Sequence, residues 1–319
     1  MTEPDRHIVF AEPYDEAVVG RAREVARVTV LDSCDNASLL VAIRDCDALL
    51  VRTRATVSRE LLDAARRLRV IGRGGSGLDN IDVAAANEKG IVVVHTPDAA
   101  TDAVADLTVG LMIDMIRRIT PCDRMVRQDD FLTARQTHLG LELRGLTMGI
   151  IGMGRIGRAV ARRCRHGFGM RIVYNDIIDP GPLDVAAEPM DKDHLYAEAD
   201  VVSLHVPLTP KTDHLIGDAA LARFKNGAYL INTARGRVVD GHAIARALEN
   251  GKLAGAAFDV FETEPLPRDH PLIAAPNTLF TAHIGAKTVA ASARMNAVVD
   301  DVLGVLEGKP PRHAARCPG

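Results

Sequence analysis

Leu146-Thr-Met-Gly-Ile-Ile-Gly152-Met-Gly154-Arg-Ile-Gly157 is an apolar run that passes straight into three glycines spaced G-x-G-x-x-G. Read as a strand entering a helix, this is the spacing of a dinucleotide-binding turn. Gly152 permits the tight turn, Gly154 lets the backbone approach a pyrophosphate, and Gly157 lets the next helix pack close to the sheet. That helix is expected over roughly Arg155 to Cys164, its N-terminal N–H groups and dipole directed at the pyrophosphate. A glycine turn alone also arises for steric reasons, so its surroundings matter. A second apolar run, Met170 to Asp176, ends in an acid nineteen residues past the last glycine. A carboxylate at about that spacing accepts the ribose hydroxyls and repels a 2′-phosphate, which favours NAD over NADP. The plainer alternative is a surface turn acid, since Asn175 and Asp179 flank it.

The chain has 319 residues, of which 47% are apolar. That is enough for two domains, each with its own core. A formal net charge of −3 gives no electrostatic case for nucleic acid or an anionic membrane. The five cysteines are scattered, with no C-x-x-C pair for zinc or redox work. They fit free thiols in a reducing cytoplasm. The N-terminus MTEPDRHIVF lacks a basic region followed by an apolar one, so no signal peptide is expected. No uninterrupted apolar stretch is long enough to span a bilayer.

Before the glycine turn, short apolar runs alternate with helical patterns. Strands are expected at His7–Phe10, Val28–Leu31, Ala48–Val51, Val70–Gly72 and Ile91–His95, with helices near Asp15–Ala26, Ala37–Arg44, Arg59–Arg66 and Val83–Lys89. Strands alternating with helices predict a parallel α/β sheet. A long helical stretch, roughly Ala103 to Arg127, leads to the strand at Met148. Further strands are expected near Ile172–Tyr174, Val201–His205, Ala228–Ile231, Gly255–Phe258 and Thr278–Phe280, and a final helical segment from Val289 to Leu306.

Three segments that follow apolar strands carry unusual polar residues, where ligands of open α/β sheets bind. Ile231-Asn-Thr-Ala-Arg235-Gly offers an arginine able to grip a carboxylate with two parallel bonds. It could equally be a solvated or capping residue. Ala257-Phe-Asp259-Val-Phe-Glu-Thr-Glu264-Pro offers two acids, although isolated loop acids are usually solvated. Leu279-Phe-Thr-Ala-His283-Ile-Gly285 offers a histidine that could also be a satisfied core residue.

Taken in order, the glycine turn, Arg235, Asp259, Glu264 and His283 resemble the D-isomer-specific 2-hydroxyacid dehydrogenases. The resemblance extends to Arg73-Gly-Gly-Ser-Gly77-Leu-Asp-Asn-Ile-Asp82 and His205-Val-Pro-Leu-Thr-Pro-Lys-Thr212. It implies two α/β lobes: a doubly wound Rossmann NAD-binding domain over residues 102–286, and a flavodoxin-like substrate domain from 1–101 plus 287–319. It also implies roles. Arg235 binds the substrate carboxylate and polarises its carbonyl. His283 is the general acid in reduction and the base in oxidation. Glu264 hydrogen-bonds His283, positions it and favours its protonated form. Asp259 meets the nicotinamide carboxamide. NAD is further contacted by Gly152, Gly154, Arg155, Ile156, Gly157, Asp176, His205, Val206, Pro207, Thr212, Thr233, Ala234, Arg235, His283 and Gly285. The substrate carboxylate meets backbone N–H groups around Gly75, Ser76 and Gly77. No metal is called for, and a homodimer joined through the helical stretch near residues 103–127 is expected.

The substrate is less determined. Arg52-Thr-Arg54 resembles phosphoglycerate dehydrogenases, in which basic residues face the far end of the substrate, but these are also ordinary surface arginines in an arginine-rich chain. Ala100 stands where such enzymes often have asparagine, and no regulatory domain is expected after the last helical segment. Thr96-Pro-Asp-Ala-Ala-Thr-Asp102 with Ala105-Asp106, and Glu264-Pro-Leu-Pro-Arg-Asp-His-Pro271, are more similar to glyoxylate and hydroxypyruvate reductases. Ala282 departs from the proline of most relatives. The leading expectation is reduction of a small 2-keto acid, with phosphoglycerate-type oxidation as the alternative. A third reading, from another class, is an NAD-sensing co-repressor of the same fold.

Overall fold

The structure is a computed structural model that describes residues 6–315. It divides into two compact units, Met1–Ala100 with Thr288–Gly319, and Thr101–Lys287.

The first unit runs β1 (His7–Phe10), α1 (Glu16–Arg23), β2 (Arg27–Val30), α2 (Asn36–Ile43), β3 (Ala48–Val51), α3 (Arg59–Ala64), β4 (Val70–Arg73), α4 (Val83–Glu88) and β5 (Val92–His95). The sheet order is β2-β1-β3-β4-β5, all parallel, the flavodoxin-like winding. β1, β3 and β4 are buried along their whole length. A strand covered by helices on both faces must be apolar on both. Alternation then divides the side chains: Val9, Leu49, Ile71 and Val93 join one core, Ile8, Phe10, Leu50 and Val70 the other. Asp35, Ser58 and Asp82 cap α2, α3 and α4 by accepting from Ser38, Leu61 and Ala85 N–H groups.

The second unit runs α5 (Thr101–Arg117), α6 (Ile119–Arg127), α7 (Phe131–Thr137), β6 (Thr147–Ile151), α8 (Arg155–Arg162), β7 (Arg171–Asn175), β8 (Glu188–Pro189), α9 (Lys192–Glu198), β9 (Val201–Leu204), α10 (Asp218–Arg223), β10 (Ala228–Asn232), α11 (Gly241–Glu249), β11 (Leu253–Phe258), α12 (Pro271–Ala274) and β12 (Thr278–Phe280). Its sheet, β12-β11-β10-β9-β6-β7-β8, is parallel throughout. This is the doubly wound order, with its switch point between β6 and β9. Two further helices belong to the first unit, α13 (Val289–Asn296) and α14 (Val298–Leu306), and Val298 and Val302 fill the core around Leu50 and Val70.

Three helical stretches differ from expectation. The stretch from Ala103 to Arg127 is two helices separated by Arg118 in the left-handed region at φ 54°. Pro121 has no N–H to donate to the Arg117 carbonyl, and its ring crowds that carbonyl, so the ladder cannot continue. Asp114 supports the new start by accepting from the Thr120 N–H at 2.7 Å. The helix after the glycine turn ends at Arg162 and is followed by a π-helical turn over Arg163–Gly167. The final segment is likewise two helices, meeting at Ala297.

Candidate active site

The turn between β6 and α8 lies at the switch point. Gly152 has φ 96°, and a Cβ on it would lie 2.5 Å from the His205 carbonyl oxygen, at the end of the neighbouring β9. A Cβ on Gly157 would lie 2.1 Å from the Gly152 oxygen. Any side chain at either position would push the two strand ends or the helix apart. Gly154 is the opposite case: a Cβ there would meet nothing within 4 Å. Gly154 is also the N-cap of α8 and supplies no side-chain cap, so the first-turn N–H groups of that helix are left without a capping side chain beside that open space. That is a cradle for an anion. Arg155 and Ile156 are the first residues of this helix.

Asp176 follows β7 and is bonded to the same turn. Its Oδ2 accepts from the Met153 N–H at 2.7 Å and its Oδ1 from the Ile178 N–H at 3.0 Å. The carboxylate therefore holds the glycine turn as well as presenting a negative charge beside it. Ile177 and Ile178, strongly exposed, flank it.

Beyond β9, His205 accepts or donates at 2.9 Å to Ser203 Oγ through Nε2. Its Nδ1 is shut away from solvent with no partner among the described residues. Burial pushes this imidazole down to about 3, so it is neutral. Val206 packs against the core, Pro207 is exposed, and Thr212 Oγ1 closes the following loop by donating to the Pro207 carbonyl at 2.6 Å.

The segment after β10 carries Thr233, Ala234 and Arg235. Buried Asn232 shapes it: its Nδ2 donates to the Arg235 carbonyl at 2.9 Å and its Oδ1 accepts from the Ala234 N–H at 3.0 Å. Thr233 Oγ1 lies 3.0 Å from Thr108 Oγ1 of α5. Arg235 is half-buried, with Nη1 donating to the Ala234 carbonyl at 2.7 Å.

Glu264 and His283 come together. His283 Nδ1 lies 2.9 Å from Glu264 Oε2, and Glu264 Oε1 accepts from the Phe261 N–H at 3.1 Å. An ionised carboxylate only accepts, so Nδ1 carries the hydrogen and Nε2 is the atom left to hold or release a proton. His283 itself has φ 52°, a costly conformation for a residue with a Cβ. The force that keeps it there is Asp259. This carboxylate, 2% exposed, accepts from Thr281 Oγ1 at 2.6 Å, the Ile284 N–H at 2.8 Å and the Gly285 N–H at 2.8 Å. The His283 N–H also donates to the Asp259 carbonyl at 2.8 Å. Asp259 is thus engaged in holding the histidine's loop, a task its position in the sequence did not disclose.

In the first unit, Gly75, Ser76 and Gly77 follow β4, and Arg52 and Arg54 follow β3. Ser76 is exposed, and the Gly75 oxygen accepts from the Thr96 N–H at 3.1 Å. Neither arginine stands alone. Arg52 lies over the Tyr14 ring at 4.4 Å and donates to Asn296 Oδ1 at 2.6 Å. Arg54 Nε is 3.5 Å from Glu12 Oε2. Glu12 is a residue that sequence reasoning missed. It is 3% exposed, and its Oε1 accepts from the N–H groups of Arg52, Arg54 and Ala55. An acid just past the first apolar strand was its only signal.

Residues 109–285 match the model of the D-isomer specific 2-hydroxyacid dehydrogenase, NAD binding domain. The chain belongs to the D-isomer-specific 2-hydroxyacid dehydrogenase family. It is 42% identical to a glyoxylate reductase of Thermofilum pendens over 98% of its own length and 94% of the relative's. It is 41% identical to a D-3-phosphoglycerate dehydrogenase of Methanocaldococcus jannaschii over 95% of its own length, and spans 58% of that relative. Among solved structures, D-lactate dehydrogenase from Aquifex aeolicus complexed with NAD and lactic acid superposes with a TM-score of 0.86 at 30% identity, covering 95% of this chain and 96% of that one. As a member of this family the protein is an NAD-binding oxidoreductase acting on CH–OH donors. The open cradle at Gly154 and the uncapped start of α8 fit the pyrophosphate of such a cofactor. No helix among the described residues is long and apolar enough to cross a membrane.

Proposed function

We propose that the protein reduces a short 2-keto acid of the glyoxylate or hydroxypyruvate class to the D-2-hydroxy acid. The observation that carries this reading is the 2.9 Å contact between His283 Nδ1 and Glu264 Oε2, which leaves Nε2 as the proton donor. Bound NADH would supply the hydride to the carbonyl carbon. The chain's residues do the rest. His283 Nε2 gives its proton to the carbonyl oxygen as negative charge builds there, and Glu264 holds the ring through Nδ1. Arg235 takes the substrate carboxylate in a bidentate grip. Asp259 keeps His283 in place. Gly75, Ser76 and Gly77 offer backbone N–H groups to the substrate, while Asp176 directs the choice towards NAD.

The small uncharged-tail substrate is supported by the likeness to a glyoxylate reductase along 94% of that relative and by Arg54 already facing Glu12, while Arg52, held by Tyr14 and Asn296, keeps its charge. Turnover with NADH against glyoxylate, hydroxypyruvate, pyruvate, 2-oxoglutarate and phosphohydroxypyruvate tests the reading. Highest kcat/KM on phosphohydroxypyruvate would overturn the substrate class, and no turnover on any would favour a binding role. The protein is further proposed to work in the cytoplasm as a homodimer. Exposed Ile119, Val126, Phe131 and Leu132 on and after α6 support the dimer, which light scattering would detect.

A further inference from the structure

The loop that carries Glu264 is fastened by more than Glu264. Gly236, directly after Arg235, lies against the Phe261–Glu262 peptide so closely that a Cβ on it would sit 1.9 Å from the Phe261 carbonyl carbon. The Arg235 segment and the acid loop are therefore packed backbone to backbone. Glu262 then joins three pieces of chain. Its Oε1 accepts from the N–H of Gly241 at 3.1 Å, the first residue of α11, whose N–H has no intrahelical partner. Its Oε2 lies 3.0 Å from His214 Nε2. His214 is itself held at φ 47°, and its N–H donates to the Arg237 carbonyl at 2.7 Å. Two residues on, Glu264 folds back to accept the Phe261 N–H.

A solvent-facing ion pair alone contributes at most about 1 kcal/mol, and the Glu262 side chain is 33% exposed. Its leverage comes from geometry. Both oxygens are used, and one ties down a helix start. The peptide that bears Glu262 is also the one in contact with Gly236.

We propose that Glu262 is a positioning residue, clipping the 261–264 loop to the Arg235 segment and so setting Glu264 Oε2 against His283 Nδ1. This rests on the reading of Glu264 and His283 given above. Glu262→Ala is expected to lower kcat about tenfold while the Kd for NADH stays within about twofold. Glu262→Gln keeps an oxygen for the Gly241 N–H and should recover kcat to within about threefold. In a Glu264→Gln background, Glu262→Ala should cost less than about twofold more, because two residues acting as one unit are not additive. Wild-type kcat in Glu262→Ala, or its full loss repeated in the Glu264→Gln background, would overturn the clip. Near-normal kcat in Glu264→Gln alone would overturn the pairing itself and the clip with it.

Discussion

The two units use the ends of their strands in opposite ways. In the first, the charged groups beyond β1 and β3 are engaged with one another: buried Glu12 takes three backbone N–H groups and faces Arg54, and Arg52 is held by Tyr14 and Asn296. In the second, side chains fix the loops but leave one working face open. The start of α8 has no side-chain cap, and His283 is tied through Nδ1 with Nε2 left over. Arg54 there faces an acid, whereas Arg52 is held by neutral groups and keeps its charge, with Nε lacking a partner among the described residues. A strand end that leaves donors unmatched can bind an anion or move a proton. On the proposed reading, proton transfer belongs to the second unit, and Gly75–Gly77 of the first offers backbone N–H groups.

The comparison breaks most visibly at His283. General acid catalysis by a placed side chain contributes about 10²–10⁴-fold. His283→Ala should lower kcat by about that factor, with NADH binding almost unaltered because the glycine turn does not depend on the imidazole. Near-normal kcat in that variant would place the acid elsewhere.

His205 is the next largest effect, and it belongs to the same strand ends. Its folded-state value lies near 3, below the ordinary 6.5. As pH falls below 6.5 the unfolded chain takes up a proton that the folded protein refuses until about pH 3. Stability is therefore complete above the ordinary value and falls on acidification. At pH 5 the loss is roughly 2 kcal/mol, and it is insensitive to the precise folded value. Urea unfolding at pH 7 and pH 5 checks it: the wild type should lose about that much more than His205→Gln. Equal losses would mean that the imidazole is not buried neutral.

Much of this was legible in the chain. The strand-to-glycine run at 146–157 and the alternation of apolar runs define both sheets, because parallel strands covered on both faces must be continuously apolar. The pairing of Glu264 with His283 was legible only through the family resemblance, since taken alone one read as a solvated loop acid and the other equally as a core histidine. The break at Arg118 was present as Pro121 but was masked by an apolar spacing that continued past it. Glu12, Glu262 and the loop-holding task of Asp259 were not legible. Each works through contacts with residues distant in sequence, and an acid's type and spacing say nothing of which N–H groups it will meet. The arginines at 52 and 54 read equally as substrate cations or as surface arginines for the same reason, since their partners Asn296 and Glu12 lie far along the chain.

Asp176 sharpens the contrast within the second unit, because its two oxygens hold backbone N–H groups while the carboxylate stands beside the glycine turn. NADH should exceed NADPH by at least about tenfold in kcat/KM, or about 1.4 kcal/mol. Asp176→Ala should narrow that gap from both ends. It removes repulsion of the 2′-phosphate, and it also releases the Met153 N–H that holds the turn, so NADH binding weakens. Asp176→Asn keeps an acceptor for Met153 and should retain more NADH affinity than the alanine variant. Equal use of the two cofactors by the wild type would sink the assignment.

The smallest effect tests the first unit. If Arg54 serves Glu12 rather than a substrate, Arg54→Ala should change KM for glyoxylate and for phosphohydroxypyruvate by the same modest factor. Its side chain is 66% exposed, so the pair with Glu12 contributes little stability, under about 1 kcal/mol. Glu12 would remain satisfied by the three N–H groups of Arg52, Arg54 and Ala55. A fully desolvated cation that met a phosphate would behave differently. Losing a charge-assisted bond of that kind costs about 1.5–3 kcal/mol, or about ten- to hundredfold in KM for the anionic-tailed substrate alone. A selective rise of that size would show that the strand ends of the first unit also bind substrate through charge, and the distinction between the two units would fall.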